Sequence, residues 1–315
     1  MRIIELTCSI AAHIGQFLEE KMFRKRENVG YLYILPAVIF LITFIGYPIV
    51  YNIIMSFQKV DLMALNTGER AFVGLDNYKE LFTNPVFYKA LYNTLYYTIA
   101  CIIFQFTIGF ALALFFNIDF KLARVIRGLI MVAWLLPLTA TALNFKFMFS
   151  VSGGIINEIL LKLHIISKPI EWLLGQKSSM WSLIITNIWI GIPFNMILLV
   201  TGLSTIPKSV YESASIDGTN WFQNIIYITI PLIKASILSV LTLGFINTFK
   251  VFDLVFIMTN GGPVNATEVL STMSYRYSFD QFKFSMGSTV ANVLCLILGI
   301  VTFIYISNVS KDEVM

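Results

Sequence analysis

Charged side chains are the scarcest class in this chain. Only 13% of its 315 residues are Asp, Glu, Lys or Arg, against about 25% in soluble domains. That shortage excludes a soluble domain with a solvated surface. A net charge of +4, spread along the chain, excludes a polyanion-binding face, so nucleic acid is not an expected partner. There are only two histidines and three cysteines. Cys8, Cys101 and Cys295 have no metal or redox spacing. Cys101 and Cys295 fall in apolar runs and read as small buried side chains, and Cys8 as a free thiol. No stretch fits G-x-x-x-x-G-K-[ST], the loop whose amides cradle phosphates. The chain therefore reads as having no catalytic centre, no metal site and no cofactor of its own.

What is present is apolar: 57% of the residues are hydrophobic. A membrane-spanning helix needs about 20 such residues in a row. Six stretches qualify, near 31–56, 89–116, 125–149, 179–203, 233–259 and 284–307. The expected fold is all-α, a polytopic membrane protein with six transmembrane helices over 31–307. Lys21, Arg24, Lys25 and Arg26 precede the first stretch, and Lys121, Arg124 and Arg127 crowd the second turn. The Lys and Arg total is flat across the two sides, so it is these clusters that place the N-terminus, and with six spans the C-terminus, on the cytoplasmic side. His13 and His164 then lie on opposite sides and cannot share a site. Residues 1–30 form a cytoplasmic N-terminal segment. Leu6, Ile10, Ile14, Phe17 and Leu18 fall near helical spacing, which fits either an interfacial helix or a loose tail. Residues 308–315 form a cytoplasmic tail. Helical spacing also predicts short helices over 76–82 and 154–163 in the outward loops.

The stretch 204–232 is different. It is too polar to span and reads as two short helices joined at Asp217-Gly218. Ser209 with Glu212, and Asn220 with Gln223, have capping-box spacing, and Pro231 closes the second helix. Glu212, Ser213, Ala214 and Ser215 suggest a small-residue surface for a partner.

Glu212-Ser213-Ala214, then Gly218, then Ile228-x-Ile230-Pro231 resembles the EAA loop of ABC importer permeases, E-A-A-x-x-x-G-x9-I-x-L-P. Ser213 and Ile230 depart from its Ala and Leu. Asp217 before the glycine is similar to the carbohydrate-importer branch. The run from Phe249 to Pro263, ending Thr259-Asn260-Gly261-Gly262-Pro263, resembles the subunit type that carries T-x-G-G-P, and Thr267 fits as well. Phe284-Ser285-Met286-Gly287-Ser288 departs from the usual G-Y-A-A-A. The resemblance implies a type I ABC importer permease fold, of the maltose- and glycerol-phosphate-type family, in a bacterial or archaeal plasma membrane. It implies that Tyr211, Glu212, Ser213, Ala214, Asp217 and Gly218 couple to an ATPase. It further implies a second permease subunit, two ATPase subunits carrying the ATP and Mg, and an extracytoplasmic sugar-binding protein.

Lys250 and Asp253 are charges inside an apolar run, three apart and so on one helical face, where they could pair. Counting from Ile233, Lys250 lies roughly 25 Å along the axis, in the outer half of a bilayer. With Asn187, Trp189, Asn195 and Asn247 they form the candidate sugar path. Amides suit hydroxyl groups, and an aromatic face suits a sugar's C–H face. Gly191-Ile192-Pro193 predicts a kink beside them. Structural pairing and interhelical hydrogen bonding are the competing readings for these residues. Two other functions remain open on the residues alone. An ion-gradient-driven transporter would use Lys250 and Asp253 but gives no reason for an ordered 204–232 loop. A membrane scaffold gives no reason for polar residues in several spans.

Overall fold

The computed structural model describes residues 29–312 except Asp119, with side chains described over 31–307 except Leu65 and Asp119. The expected interfacial helix of residues 1–30, with Cys8 and His13, falls almost entirely outside them. Two units divide the chain at Met55–Ser56. Helix α1, Tyr31–Ser56, lies in the first unit up to Met55, and its last residue falls at this boundary.

In the second unit a short antiparallel ribbon comes first, β1 (Gln58–Lys59) against β2 (Ala71–Phe72), pairing Gln58 with Phe72 and Lys59 with Ala71. Helix α2 (Leu62–Thr67) joins the two strands. Then come α3 (Asp76–Thr83), α4 (Pro85–Phe116), α5 (Ala123–Leu135), α6 (Leu138–Met148) and α7 (Ile155–Lys162). Helix α8 (Ser178–Leu203), α9 (Lys208–Ile216), α10 (Trp221–Leu232) and α11 (Lys234–Phe249) follow. The last three are α12 (Asp253–Met258), α13 (Leu270–Tyr275) and α14 (Phe284–Asp312). α3 and α7 match the short helices expected in the loops. α14 carries on into the expected C-terminal tail.

The parallel pair α4 and α8 makes the most extensive contact. On α4, Tyr97, Cys101, Gln105, Gly109 and Ala113 recur every four residues, and all are buried. Such a row forms one ridge along a helix. Two glycines let the backbones close. A Cβ on Gly109 would stand 2.7 Å from the Cβ of Asn195, and one on Gly191 would stand 2.3 Å from Cδ of Gln105. Small residues at helix contacts are how membrane helices gain packing without a hydrophobic drive. α8 runs through Gly191-Ile192-Pro193 as one continuous helix, so the expected kink does not interrupt it.

Four helices are long and apolar enough to cross a membrane: α1, α4, α8 and α14. The third and fifth expected spans are broken instead. α5 and α6 meet at 92°. Pro137 lacks an N–H and drives Leu136 to extended geometry, φ −68° and ψ 140°. α10 and α11 meet at 75° at Ile233, so the helix passes through Pro231 before it ends. α11 then stops at Phe249, and Lys250 to Phe252 separate it from α12. That break carries the chain between two apolar clusters. Phe249 packs with Leu81, Phe87 and Met273, while Val251 packs with Leu183, Leu254 and Val255. Cys101 is buried as expected, but Cys295 is exposed, because its position on α14 faces away from the packed side.

The segment after α12 is held by the start of α4 and by one buried ion pair. Asn93 Nδ2 donates to the carbonyls of Glu268 (2.9 Å) and Asn265 (3.2 Å), and the Leu270 N–H donates to Thr94 Oγ1. Glu268 is 1% exposed and pairs with Arg276 at 2.9 Å. Thr272 Oγ1 donates to the same carboxylate, and Arg276 also donates to the Asn260 carbonyl. Gly261 sits beneath the pair with φ +76°, and a Cβ there would stand 2.2 Å from Glu268 Oε2. Only glycine fits both the space and the left-handed backbone.

Burial pushes the Glu268 carboxyl above its ordinary value, with the Arg276 charge pulling the other way. Arg276→Ala leaves that carboxylate buried and alone, a change that costs roughly 3 kcal/mol in comparable sites. A raised carboxyl pKa makes this group's contribution favourable at acid pH and lost as pH rises through the folded value. Thermal unfolding of the Arg276→Ala protein in detergent should therefore show its largest deficit at neutral pH and partial recovery on acidification. Glu268→Gln should cost less and show no such recovery.

Candidate functional site

The helix pair α9–α10 is built by local chemistry. Pro207 precedes α9 with its fixed φ of −62°. The expected Ser209–Glu212 capping box is absent, because the helix already starts at Lys208 and both residues are inside it. α9 ends in a paired closure. The Gly218 N–H donates to the Ser215 carbonyl and the Thr219 N–H to the Ala214 carbonyl, both at 3.2 Å, with Gly218 at φ +76°. This is the Schellman pattern, which needs a left-handed residue at that place. The second expected box forms: Asn220 Oδ1 accepts from Gln223 N–H, and Gln223 Oε1 from Asn220 N–H, each at 2.9 Å. Thr219 and Tyr211 cross-link the halves, bonding Asn224 at 2.7 Å and Thr229 at 3.0 Å.

Which residues this elbow presents differs in part from expectation. Ala214 is 6% exposed and packs inward, and Tyr211 packs on the cluster of Leu199, Leu203 and Ile206. Glu212, Ser213, Asp217 and Gly218 are exposed. The tip is apolar: Ile216, Trp221, Phe222 and Tyr227 are all exposed. Sequence reasoning looked for small residues and missed these.

A second feature is a cavity of about 430 Å³ between α4, α8 and the α11–α12 break, with several polar side chains in its wall. Asn187, Asn195, Asn247, Lys250 and Asp253 line it, with Gln105 and the rings of Trp134, Phe194 and Phe252. Trp134 and Phe194 stack with centroids 5.7 Å apart. Both broken spans meet the cavity at their breaks, through Trp134 and Leu138 on one side and Lys250 to Leu254 on the other. Irregular backbone at membrane depth is tolerated where it lines a cavity or is buried in protein.

Two expectations fail here. Lys250 and Asp253 do not form an ion pair, because the helix that would have put them on one face ends at Phe249. Trp189 is not on this cavity; it packs against Phe145 and faces the hollows beside Leu136 and Pro193. Asn187, Gly191 and Asn195 share a face at four-residue spacing, and Trp189 stands about 200° round from Asn187. The aromatic faces of the cavity are Trp134, Phe194 and Phe252 instead. Gln105 was also missed, since a lone glutamine in an apolar run carries no motif.

Comparison with known proteins places this architecture. Residues 105–311 match the family model described as binding-protein-dependent transport system inner membrane component. The trehalose/maltose transport system permease protein MalF of Thermococcus litoralis is 29% identical over 92% of this chain and 96% of that protein. A probable ABC transporter permease protein of Bacillus subtilis, YurN, is 31% identical over 88% of this chain and 94% of its own length. The arabinooligosaccharides transport system permease protein AraP of Bacillus subtilis is 30% identical over 90% of this chain and 89% of its own length. Among solved structures, a bacterial ABC transporter that imports the acidic polysaccharide alginate has a TM-score of 0.75 at 21% identity, covering 93% of this chain and 98% of that one. The fold is shared with it. The chain belongs to the binding-protein-dependent transport system inner membrane components, the membrane-spanning permease subunits of ABC importers.

Proposed function

We propose that this chain is the permease subunit of a sugar importer, that this cavity is part of the sugar path, and that the α9–α10 elbow is where an ATPase subunit docks. The observation that carries this is the cavity. Amides from α4, α8 and α11 and stacked rings of Trp134 and Phe194 converge where two spans break. Hydroxyl-rich ligands need planar donors and acceptors together with aromatic faces. Relatives named for trehalose/maltose and arabinooligosaccharides support the same substrate class. Asn247, Lys250 and Asp253 are exposed on one side of the cavity, and a second permease subunit closes it there.

The elbow supplies the motor contact. Its two closed helix ends and its cross-links make it a rigid body, and rigid short helices transmit displacement. Glu212, Ser213, Asp217 and Gly218 face out beside Ile216 and Trp221, with Tyr211 and Ala214 anchoring it from within. ATP and Mg belong to the two partner ATPase subunits, and an extracytoplasmic binding protein delivers the sugar. The N- and C-termini and the elbow are cytoplasmic, and the membrane is the plasma membrane of a bacterium or archaeon. Sugar uptake by cells carrying the whole importer should collapse on ATP depletion and survive a protonophore; the reverse pattern defeats the reading.

Gly218→Val forces a β-branched residue to φ +76° and should break the Schellman closure. We expect copurified ATPase to fall at least several-fold while membrane insertion is unchanged. For the cavity, Trp134→Ala should raise the apparent KM for sugar roughly tenfold, the loss of one ring contact, with ATPase copurification intact. Trp189→Ala should leave that KM within about twofold.

A further inference from the structure

Gln105 is a polar side chain of the cavity that is tightly built in. It is 4% exposed, in the middle of α4, and it lines the cavity. Its Nε2 donates to the Asn187 backbone carbonyl at 2.8 Å. A carbonyl only accepts, so this bond fixes which end of the amide is which. Gly191 makes the room: a Cβ there would stand 2.3 to 2.6 Å from Cδ, Nε2 and Oε1 of Gln105. The amide is thus clamped between the backbone of α8 and its own helix. Among the described residues its Oε1 has no hydrogen-bond partner, and it is not one of the fully buried atoms left unpartnered. It is an acceptor that the cavity leaves for a ligand. A long polar side chain in hydrocarbon is costly and is held inside the bundle by what it binds.

We infer that Gln105 is a specificity-determining residue of the transport path, with Oε1 accepting a hydrogen bond from a sugar hydroxyl and Gly191 setting its position. This rests on the sugar-path reading above. The chemistry is selective by hydrogen-bond polarity. A fixed carbonyl oxygen welcomes a hydroxyl donor and rejects an ether or deoxy position, because the acceptor, once covered by the ligand, would then go unpaired.

Two measurements on the complete importer test it. The first needs no knowledge of the sugar. In a protein with Cys8, Cys101 and Cys295 changed to Ser, Gln105→Cys and Asn247→Cys are each treated with 2-aminoethyl methanethiosulfonate. Labelling of both is expected. Labelling of Asn247→Cys alone overturns the inference and leaves the cavity standing, whereas labelling of neither takes the cavity reading down with it. The second uses radiolabelled maltose, trehalose, cellobiose and glycerol 3-phosphate in proteoliposomes, carrying forward whichever the wild type imports. Gln105→Met should raise KM about tenfold with kcat within about twofold. Gly191→Ala, which removes no polar group, should raise KM in the same direction. The double variant should be no worse than Gln105→Met alone, since the two act through one contact. A KM unchanged by Gln105→Met, or equal losses in KM, kcat and assembly, overturns it.

Discussion

The close approach of α4 to α8 is the constraint on which the rest depends. Gly109 receives Asn195, and Gly191 receives Gln105. Each helix therefore offers a gap to a polar side chain of the other. In lipid no hydrophobic force draws helices together, so contact must come from packing density and from hydrogen bonds. This interlock supplies both. It also decides where polar groups go: Gln105, Asn187 and Asn195 are turned into the bundle, beside a cavity, instead of toward acyl chains.

With that pair fixed, the broken spans have a place to break. α5–α6 bends and α11–α12 is interrupted beside the α4–α8 wall, and backbone carbonyls next to the second break are met by specific partners. Ser271 Oγ donates to the Val251 carbonyl, and Lys146 Nζ to the Ile257 carbonyl at 2.8 Å. Phe252 stacks on Phe256, and both rings meet Tyr275. Helix α12 is thereby held by side chains of α6 and α13 and is not a continuation of α11. A similar economy of local bonds shapes the elbow, where the second helix start and the shared end are closed by their own residues.

What the sequence made legible follows from the range of each interaction. The elbow could be read because Asp217-Gly218 and Asn220-x-x-Gln223 act over three or four residues. The four long spans could be read because composition alone identifies them. Pro137 was visible too, yet the apolar run hid its effect, since membrane helices tolerate proline and hydropathy does not register direction. The break at Lys250 to Phe252 has no glycine or proline to announce it. The side chains that hold it are Ser271, Phe256 and Tyr275, and all but Phe256 are distant in sequence. Trp189 was misplaced although helical phase alone separates it from Asn187. The error lay in grouping residues by type before asking which face they share.

The two unpaired charges illustrate how local pattern and tertiary structure divide the work. In an unbroken helix Lys250 and Asp253 would neutralise each other across one turn. The break removes that option and leaves a cation and a carboxylate on the same cavity wall. Charges at membrane depth persist where water or a partner reaches them. The cost of keeping them apart is thus tied to the cavity staying wet or being met by another chain. A chain with this wall facing lipid would gain by rejoining α11 to α12, so the break belongs with a wall that water or a partner reaches.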